Sequence, residues 1–200
     1  ADILNKDELR KEFIEIYSEQ GKDEAKNWIN HNFGPFSNDE LNHRMTRYGL
    51  NPCGEILGND FHCNLAEVHL NQIDPNNLEE QKKAFKSAAL SVACLLNHKF
   101  EVERYRVSRE FDPIVGVSFT GLFDFFVHAF GTSWLRWWEQ GRPDTEEGKL
   151  FKERESKYLE SWKIIVKETV WDYCDKHNLR RPNRCTTVQP AGTKSLLTGA

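Results

Sequence analysis

The order of predicted strands and helices constrains the fold of this chain most. Three short segments, 64–70, 112–121 and 184–189, alternate in polarity or carry β-branched residues. Residues 85–96 carry an apolar stripe at helical spacing, and a long helix is predicted from Pro143 to about residue 177. Strands that are separated by long helices usually pair in parallel, because parallel neighbours need a crossover connection. We therefore predict an α/β fold with a parallel sheet.

Capping residues predict where some of the helices begin. Asp74 is expected to be an N-cap, and Pro75 is expected at the first helical position that follows it. Residues 6–20 place apolar side chains on one helical face, and Ser37 or Asn38 can cap a further element. These signals predict a helical start to the chain and a helix directly after the first strand.

Composition excludes several classes of protein. The 200 residues are 38% apolar and 29% charged, with a net charge of −4, as in an ordinary globular chain. No apolar run approaches the roughly 18 residues of a spanning helix, and the mildly acidic balance argues against a nucleic-acid surface. Five widely spaced cysteines do not suit a secreted disulfide framework. We expect a cytoplasmic protein with neither a nucleic-acid nor a membrane partner, and a core position for Cys94.

The turn-rich segment "NPCGEILGNDFHC", residues 51–63, carries two thiols and a carboxylate. One interpretation is a tight turn with an incidental thiol. A second is a zinc site, although Cys53 and Cys63 lack the paired CxxC spacing of structural zinc ligands. A third is a catalytic thiol, with Glu55 as a general base within reach of the same substrate. The residues alone leave all three open.

The segment "PAGTKS", residues 190–195, follows a β-branched strand and precedes an apparent helix start. It is not a Walker A loop, because Thr193 separates Gly192 from Lys194. Free backbone amides and the positive end of a helix could still bind an anion there. The alternative is a plain strand-to-helix turn.

Four motifs in order carry a resemblance to a known family. The segments "NPCGEI", "CNLAEV", "VGVSFTGLFD" and "PAGTKSLLTGA" resemble the catalytic subunit of ribonucleotide reductases. The resemblance extends over residues 40–200 and is greatest to the adenosylcobalamin-dependent (class II) type, particularly its monomeric ribonucleoside-triphosphate reductase branch. It implies a fragment of a longer chain, in which 1–50 is a helical segment that leads into a ten-stranded α/β barrel. Residues 51–200 would be part of that barrel and would supply its central Cys-bearing loop.

The resemblance also implies an activity and its site residues. The activity is reduction of ribonucleotides to 2′-deoxyribonucleotides by a thiyl-radical mechanism, with adenosylcobalamin as cofactor. In the family pattern, Cys53 would hold the thiyl, Glu55 would accept the proton of the 3′-hydroxyl, and Asn51 would hydrogen-bond the substrate hydroxyls. Cys63 would be one of two reducing thiols. Its family partner lies in an earlier strand, and no Cys precedes Cys53 in this chain.

The substrate phosphates would bind to the "PAGTKS" turn. We expect this turn at the carboxyl ends of the strands, on the same face of the sheet that the Cys-bearing loop addresses. The direction of the lysine side chain is not fixed by the sequence. The residues that would bind phosphate are Ala191, Gly192, Thr193, Lys194 and Ser195.

The expected partners are a ribonucleotide substrate, a thioredoxin-type reductant, and a nucleotide effector that binds through regions outside this chain. No metal ligand is assigned. Two alternatives remain open. One is the large subunit of a di-iron-dependent ribonucleoside-diphosphate reductase, although "PAGTK" resembles the cobalamin branch better. The other is a non-catalytic metal-binding or regulatory remnant.

Overall fold

The computed structural model describes residues 6–46 and 48–200, and the chain divides into two compact units, Ala1–Tyr48 and Gly49–Ala200. The unit boundary falls close to the predicted division at residue 50. That the first part leads into a barrel, and that the second belongs to it, stays a prediction. No helix in the described part of the chain combines the length and the apolar character needed to cross a membrane.

The first unit is helical, as its sequence predicts. Trp28 packs its ring 5.9 Å from that of Phe13 and donates its indole N–H to Glu12 over 2.8 Å, which joins the first two helices. The Ser37 hydroxyl accepts a hydrogen bond from the Glu40 backbone N–H at 3.1 Å, so Ser37 caps the third helix as predicted. The helices are α1 Asp7–Gln20, α2 Lys22–Phe33 and α3 Asn38–Thr46.

The second unit alternates strands and helices. The elements before its central strand are β1 Gly49–Leu50, β2 Leu57–Gly58, β3 Leu65–His69, α4 Leu78–Cys94 and α5 Glu103–Phe111. The central strand and the elements after it are β4 Ile114–Thr120, α6 Leu122–Phe130, α7 Thr132–Glu139, α8 Glu146–Lys176, β5 Arg184–Thr186 and α9 Gly192–Ser195.

The principal sheet has three parallel strands in the order β3-β4-β5. Leu65 pairs with Gly116 and His69 with Thr120, while Ile114 pairs with Arg184 on the other side of β4. β1 and β2 form a separate antiparallel pair. The predicted mixed α/β fold with parallel strands is therefore confirmed. The described residues show no ten-stranded barrel, which stays a prediction.

The two faces of the principal sheet differ in character. Val68 and Val117 lie in the hydrophobic core, which α4 and α8 cover. Phe85 of α4 stacks on Trp162 of α8 with ring centroids 5.0 Å apart. Because side chains alternate along a strand, the opposite face carries Glu67 and its register partner Ser118. We call this second side the polar face.

One predicted helix start is wrong. α4 begins at Leu78, and Asn77 is its N-cap, with its side-chain oxygen accepting the Glu80 N–H at 3.1 Å. Asp74 instead accepts the backbone N–H of Asn76 at 2.8 Å and closes a turn before the helix. Both residues have short polar side chains that can bond a nearby backbone N–H. The local turn therefore takes Asp74, and the cap falls three residues later.

Candidate active site

The stretch 51–63, which we call the Cys loop, opens with a tight turn. The Gly54 N–H donates to the Asn51 carbonyl at 2.9 Å, with Pro52 and Cys53 in the middle positions. Asn, Pro and Gly are favoured at the first, second and fourth positions of type I turns. Gly54 has a φ of +77°, a conformation that residues with a Cβ rarely adopt. The turn leaves the Cys53 thiol exposed at its tip.

Asn51 fixes the base of this turn. Its backbone N–H donates to the Ile56 carbonyl at 3.0 Å, and its side-chain oxygen accepts the Ile56 N–H at 3.1 Å. The side-chain N–H₂ of Asn51 points to Cys63 and donates to its sulfur over 3.4 Å. One residue thus closes the turn that carries the first thiol and contacts the second.

Glu55 connects the Cys loop to the polar face of the sheet. Its backbone carbonyl accepts a hydrogen bond from the Thr187 hydroxyl at 2.9 Å, just after β5. The side-chain oxygen Oε2 is buried and has no hydrogen-bond partner within residues 6–46 and 48–200. A buried carboxylate oxygen without a donor is available to accept a proton or a hydrogen bond from a ligand.

The acid and the first thiol influence the pKa of the second thiol. Burial raises the pKa of Cys63 above its ordinary value, while the hydrogen bond from Asn51 opposes part of that rise. Negative charge on Glu55 and Cys53 raises the pKa further. Coulombic effects of this kind require short separations. The hydrogen bonds of the loop bring the predicted residues together, since Asn51 contacts Cys63 and closes the turn that carries Cys53 and Glu55.

The segment Ala191–Ser195, which we call the α9 turn, is a single helical turn. The Ser195 N–H donates to the Ala191 carbonyl at 3.0 Å, and the Ser195 hydroxyl donates to the Gly192 carbonyl at 2.7 Å. The helix is four residues long, so its macrodipole is small. Any anion contact here must come from the unpaired N–H groups of this turn and from side-chain donors.

Lys194 has a definite direction that the sequence did not reveal. Its ammonium forms an ion pair with Glu67 on β3 and donates a hydrogen bond to the side-chain oxygen of Gln189. Gln189 lies beyond the end of β5, and its backbone N–H donates a hydrogen bond to the Ser118 hydroxyl at 2.9 Å. Lys194 is therefore held against the polar face by groups of the protein itself.

Thr198 is a contact residue that sequence reasoning missed. Its hydroxyl lies 2.9 Å from Nδ1 of His69 and donates to the side-chain oxygen of Asn71 at 3.1 Å. The Asn71 side-chain N–H₂ donates back to the Thr198 carbonyl at 2.8 Å. Glu67 and His69 lie on one side of β3, and Asn71 lies in the short 3₁₀ helix Leu70–Gln72 that follows the strand. The alternation of Glu67 and His69 is the signal that could have related these two residues.

The Cys loop and the α9 turn contact the same face of the sheet, but at different positions along the strand direction. Thr187 binds the Glu55 carbonyl, and Gln189, two residues further on, binds Lys194. The turn lies at the carboxyl half of the sheet, as expected. The Cys loop instead reaches the amino half, since Arg184 at the start of β5 donates to the Leu57 carbonyl. The separation of Thr187 and Gln189 along an extended chain is about 7 Å.

The remaining thiols differ from one another. Cys174 and Cys185 are buried, and burial raises the pKa of Cys174 to about 11 and that of Cys185 to about 12. The predicted core position of Cys94 is wrong, because its side chain is exposed. The buried face of α4 includes Ala93, and the next residue lies about 100° further round the helix. Cys94 therefore points away from the core.

The zinc interpretation finds no preformed ligand set in the structure. No group of three or more His, Cys, Asp or Glu side chains that could hold a metal ion lies within residues 6–46 and 48–200. His62 stacks on Phe100 with ring centroids 4.2 Å apart. Burial lowers the pKa of His62, and the charges of Arg109 and His98 lower it further. The ring thus joins the carboxyl-terminal end of the Cys loop to an aromatic cluster with Phe100 and Tyr105.

Curated proteins from several lactobacilli match the chain over most of its length. An adenosylcobalamin-dependent ribonucleoside-triphosphate reductase of Lactobacillus gasseri is 31% identical over 161 residues, which is 76% of this chain and 21% of that protein. Enzymes of the same name from Levilactobacillus brevis and Lactobacillus leichmannii are 30% identical over 162 residues, again 76% of this chain and 21% of theirs. The chain is similar to a segment of adenosylcobalamin-dependent ribonucleoside-triphosphate reductases.

This similarity rests on sequence and concerns only a segment of these reductases. The chain spans about a fifth of the length of the curated relatives that it matches. No family model matches it, and no solved structure matches it. The names of the relatives specify adenosylcobalamin and a ribonucleoside triphosphate.

Proposed function

We propose that this chain is part of the catalytic core of an adenosylcobalamin-dependent reductase that converts ribonucleoside triphosphates to 2′-deoxyribonucleotides for DNA synthesis. The observation that carries the proposal is the convergence of Asn51, Cys53, Glu55 and Cys63 in one loop. The relatives' names supply the reaction class. They favour the cobalamin branch over the di-iron alternative.

Cys53 is the proposed hydrogen-abstracting residue. Its thiol is exposed at the tip of a turn that Asn51 and Gly54 close, so its sulfur is held in a defined position and remains accessible. As a thiyl, the sulfur would form an S–H bond with the 3′ hydrogen of the ribose while the C3′–H bond breaks. Precise placement matters, because a displacement of about 1 Å can cost roughly 10²-fold in rate.

Glu55 and Asn51 are the proposed partners of the ribose hydroxyls. The buried Oε2 of Glu55 has no partner in the described residues and can accept the proton of the 3′-hydroxyl. Asn51 already uses its side-chain N–H₂ on Cys63 and its side-chain oxygen on Ile56. Contact with substrate hydroxyls would therefore be shared with, or replace, one of these bonds.

Cys63 is the proposed reducing thiol. The pKa of its thiol lies above the ordinary value, which keeps the hydrogen on sulfur until reduction. The 2′-hydroxyl would leave as water and a C2′–H bond would form. The two electrons come from Cys63 and a second thiol of the protein as they join in a disulfide. A thioredoxin-type dithiol would then reduce that disulfide.

The exposed Cys53 thiol fits a radical donor that approaches from outside the turn, and adenosylcobalamin supplies the radical when it is bound. Such chemistry needs a protected site. The proposal therefore includes the ten-stranded α/β barrel, in which residues 1–50 lead into the barrel and residues 51–200 contribute to it. The parallel β3-β4-β5 sheet, with the Cys loop against its polar face, is consistent with that arrangement.

The α9 turn is the proposed contact for the substrate phosphates, through Ala191, Gly192, Thr193, Lys194 and Ser195. The backbone N–H groups at its start are the groups best suited to an anion. Lys194 contributes less, because Glu67 neutralises its charge. A nucleotide effector would bind to the protein through regions outside this chain.

The function is tested in the full protein that contains this chain. Deoxynucleotide formation from a ribonucleoside triphosphate is measured with a dithiol reductant, with and without adenosylcobalamin. We expect product only with the cofactor, loss of product in Cys53→Ser with nearly unchanged substrate binding, and normal product in the matched control Cys94→Ser. Turnover by Cys53→Ser at the unmodified rate would remove the proposal.

A further inference from the structure

Glu67, in the middle of β3, is an unusual residue for a strand in a parallel sheet. Only 5% of its side-chain surface is exposed, and it lies on the polar face, in register with Ser118 of β4. Charged residues are rarely this buried unless they are paired. The segment that contains it, 64–70, is predicted from the sequence as a strand, with no role assigned to this carboxylate.

The Glu67 carboxylate is incompletely satisfied. Lys194 contacts Oε2 as an ion pair, but neither Oε1 nor Oε2 receives an aligned hydrogen bond from any residue in the described part of the chain. An ionised carboxylate can accept about four hydrogen bonds, and a buried acceptor without a donor is costly. Oε1 is therefore an unused acceptor whose donor the described residues do not supply.

Glu67 lies between the Cys loop and the α9 turn, the two parts of the candidate site. Its ion-pair partner Lys194 belongs to the α9 turn and also binds Gln189. Two residues before Gln189, Thr187 binds the backbone of Glu55 in the Cys loop. A nucleotide with its ribose at the Cys loop and its phosphates at the α9 turn would pass across this part of the polar face.

The chemistry of the carboxylate restricts which part of a nucleotide it can meet. An ionised carboxylate only accepts hydrogen bonds and repels phosphate oxygens of the same charge. A neutral O–H or N–H group is therefore the matching partner. In a nucleotide, such donors occur on the ribose and the base and not on the phosphates.

We propose that Glu67 binds the nucleoside part of the substrate, by accepting a hydrogen bond from a ribose hydroxyl or a base N–H on Oε1 while Lys194 holds Oε2. This inference rests on the proposed function and adds a substrate contact to it. It also gives Lys194 a positioning role, because the ammonium holds the Glu67 carboxylate in place. The ion pair at the same time neutralises the charge of Lys194.

The test compares two ligands in the full protein. Dissociation constants are measured by calorimetry for a ribonucleoside triphosphate and for inorganic tripolyphosphate, with Glu67→Gln and with Glu67→Asp. Glu67→Gln replaces a charged acceptor by a neutral one and places an N–H₂ group near the Lys194 ammonium, so binding of the nucleotide should weaken about tenfold. Tripolyphosphate should bind with unchanged or higher affinity, since a nearby negative charge has been removed. Glu67→Asp keeps the charge but shortens the side chain by one methylene. It should weaken the binding of the nucleotide and leave the binding of tripolyphosphate unchanged.

The matched control is Glu155→Gln, which changes a carboxylate that is also buried but is fully engaged by Trp134 and Arg142. It should lower thermal stability without changing either dissociation constant. Equal weakening of both ligands by Glu67→Gln would mean that Glu67 acts only through the α9 turn, and would overturn the inference. Unchanged nucleotide binding in both Glu67 variants would also overturn it, while the proposed function would stand. Failure of the unmodified protein to bind nucleotide would overturn both.

Discussion

The side-chain amide of Asn51 donates a hydrogen bond to the sulfur of Cys63 over 3.4 Å, and so joins the turn that carries Cys53 to the second thiol of the Cys loop. This contact lowers the pKa of Cys63, whereas burial and the negative charges of Glu55 and Cys53 raise it. The net pKa is raised, so the geometry favours a thiol over a thiolate. A thiol that gives up hydrogen in a reduction is better kept protonated until the reaction begins.

The first prediction concerns the charge of Glu55. Glu55→Gln removes a negative charge that disfavours the thiolate, so the pKa of Cys63 should fall. At a fixed pH between neutral and the thiol pKa, Cys63 should then react faster with iodoacetamide. Mass spectrometry of the Cys63 peptide as a function of pH measures the shift.

Glu79→Gln, an exposed carboxylate in the first turn of α4, serves as the control for a general change in net charge. It should leave the pH profile of Cys63 unchanged. An unchanged profile in Glu55→Gln, or one displaced to higher pH, would contradict the proximity of the two groups.

The second prediction concerns the reducing role of Cys63. Cys63→Ser in the full protein should still permit radical formation, detected by electron paramagnetic resonance, but should abolish repeated turnover. Serine preserves the approximate size of the side chain and cannot form the disulfide. Stoichiometric zinc bound through Cys63 and His62 in the purified protein would decide against this role.

The third prediction separates the backbone of the α9 turn from its lysine. A Cβ added at Gly192 meets no atom within 4 Å, and the φ of Gly192 lies outside the left-handed region, so Gly192→Val should fold normally. Its branched side chain would nevertheless obstruct an anion that approaches the N–H groups. We expect the Michaelis constant for the nucleotide to rise about ten- to a hundredfold, the effect of one lost charge-assisted contact.

Lys194→Ala is the comparison variant, because Glu67 already neutralises the lysine. Its Michaelis constant should rise much less than that of Gly192→Val. A larger effect in Lys194→Ala would show that the ammonium, through the phosphates or through Glu67, matters more for substrate binding than the backbone of the α9 turn.

The fourth prediction concerns the contact between Thr198 and β3. Thr198→Val removes the hydroxyl that meets His69 and Asn71 but keeps the shape of the side chain. Loss of about 1–1.5 kcal/mol of local stability should lower the hydrogen-exchange protection of the Leu197 amide roughly tenfold. Thr198→Ser retains the hydroxyl and should restore protection. Equal exchange in all three proteins would remove Thr198 as an anchor.

Much of the fold could be predicted because it depends on local patterns. The apolar stripe of α4 gave a buried face that includes Phe85 and Val92, and the strand signals placed β3 and β4 correctly. The cap at Asn77 was missed because Asp74 offered an equally good local signal. Cys94 was misplaced because one position along a helix is enough to move a side chain from the core to solvent.

Only the parts of the candidate site that form local sequence motifs could be predicted. Residues 51–63 carried the recognisable thiols and acid, since these lie close together in the chain. Glu67, the ion-pair partner of Lys194, and His69, which contacts Thr198, lie on β3, more than 120 positions earlier in the chain. No local pattern encodes which strand a distant loop will meet. For that reason Glu67, Lys194 and Thr198 could be related to one another only through the structure.

The parallel pairing of the sheet has a kinetic consequence. Leu65 pairs with Gly116 and Ile114 with Arg184, so each pairing joins residues roughly 50 to 70 positions apart. The entropy of closing such large loops must be paid before the strands meet, while α4 and α8 can form early from local interactions. Refolding should therefore show helical ellipticity well before nucleotide affinity returns. We therefore expect the polar face, with its contacts to Glu55 and Lys194, to be among the last parts of the molecule to form.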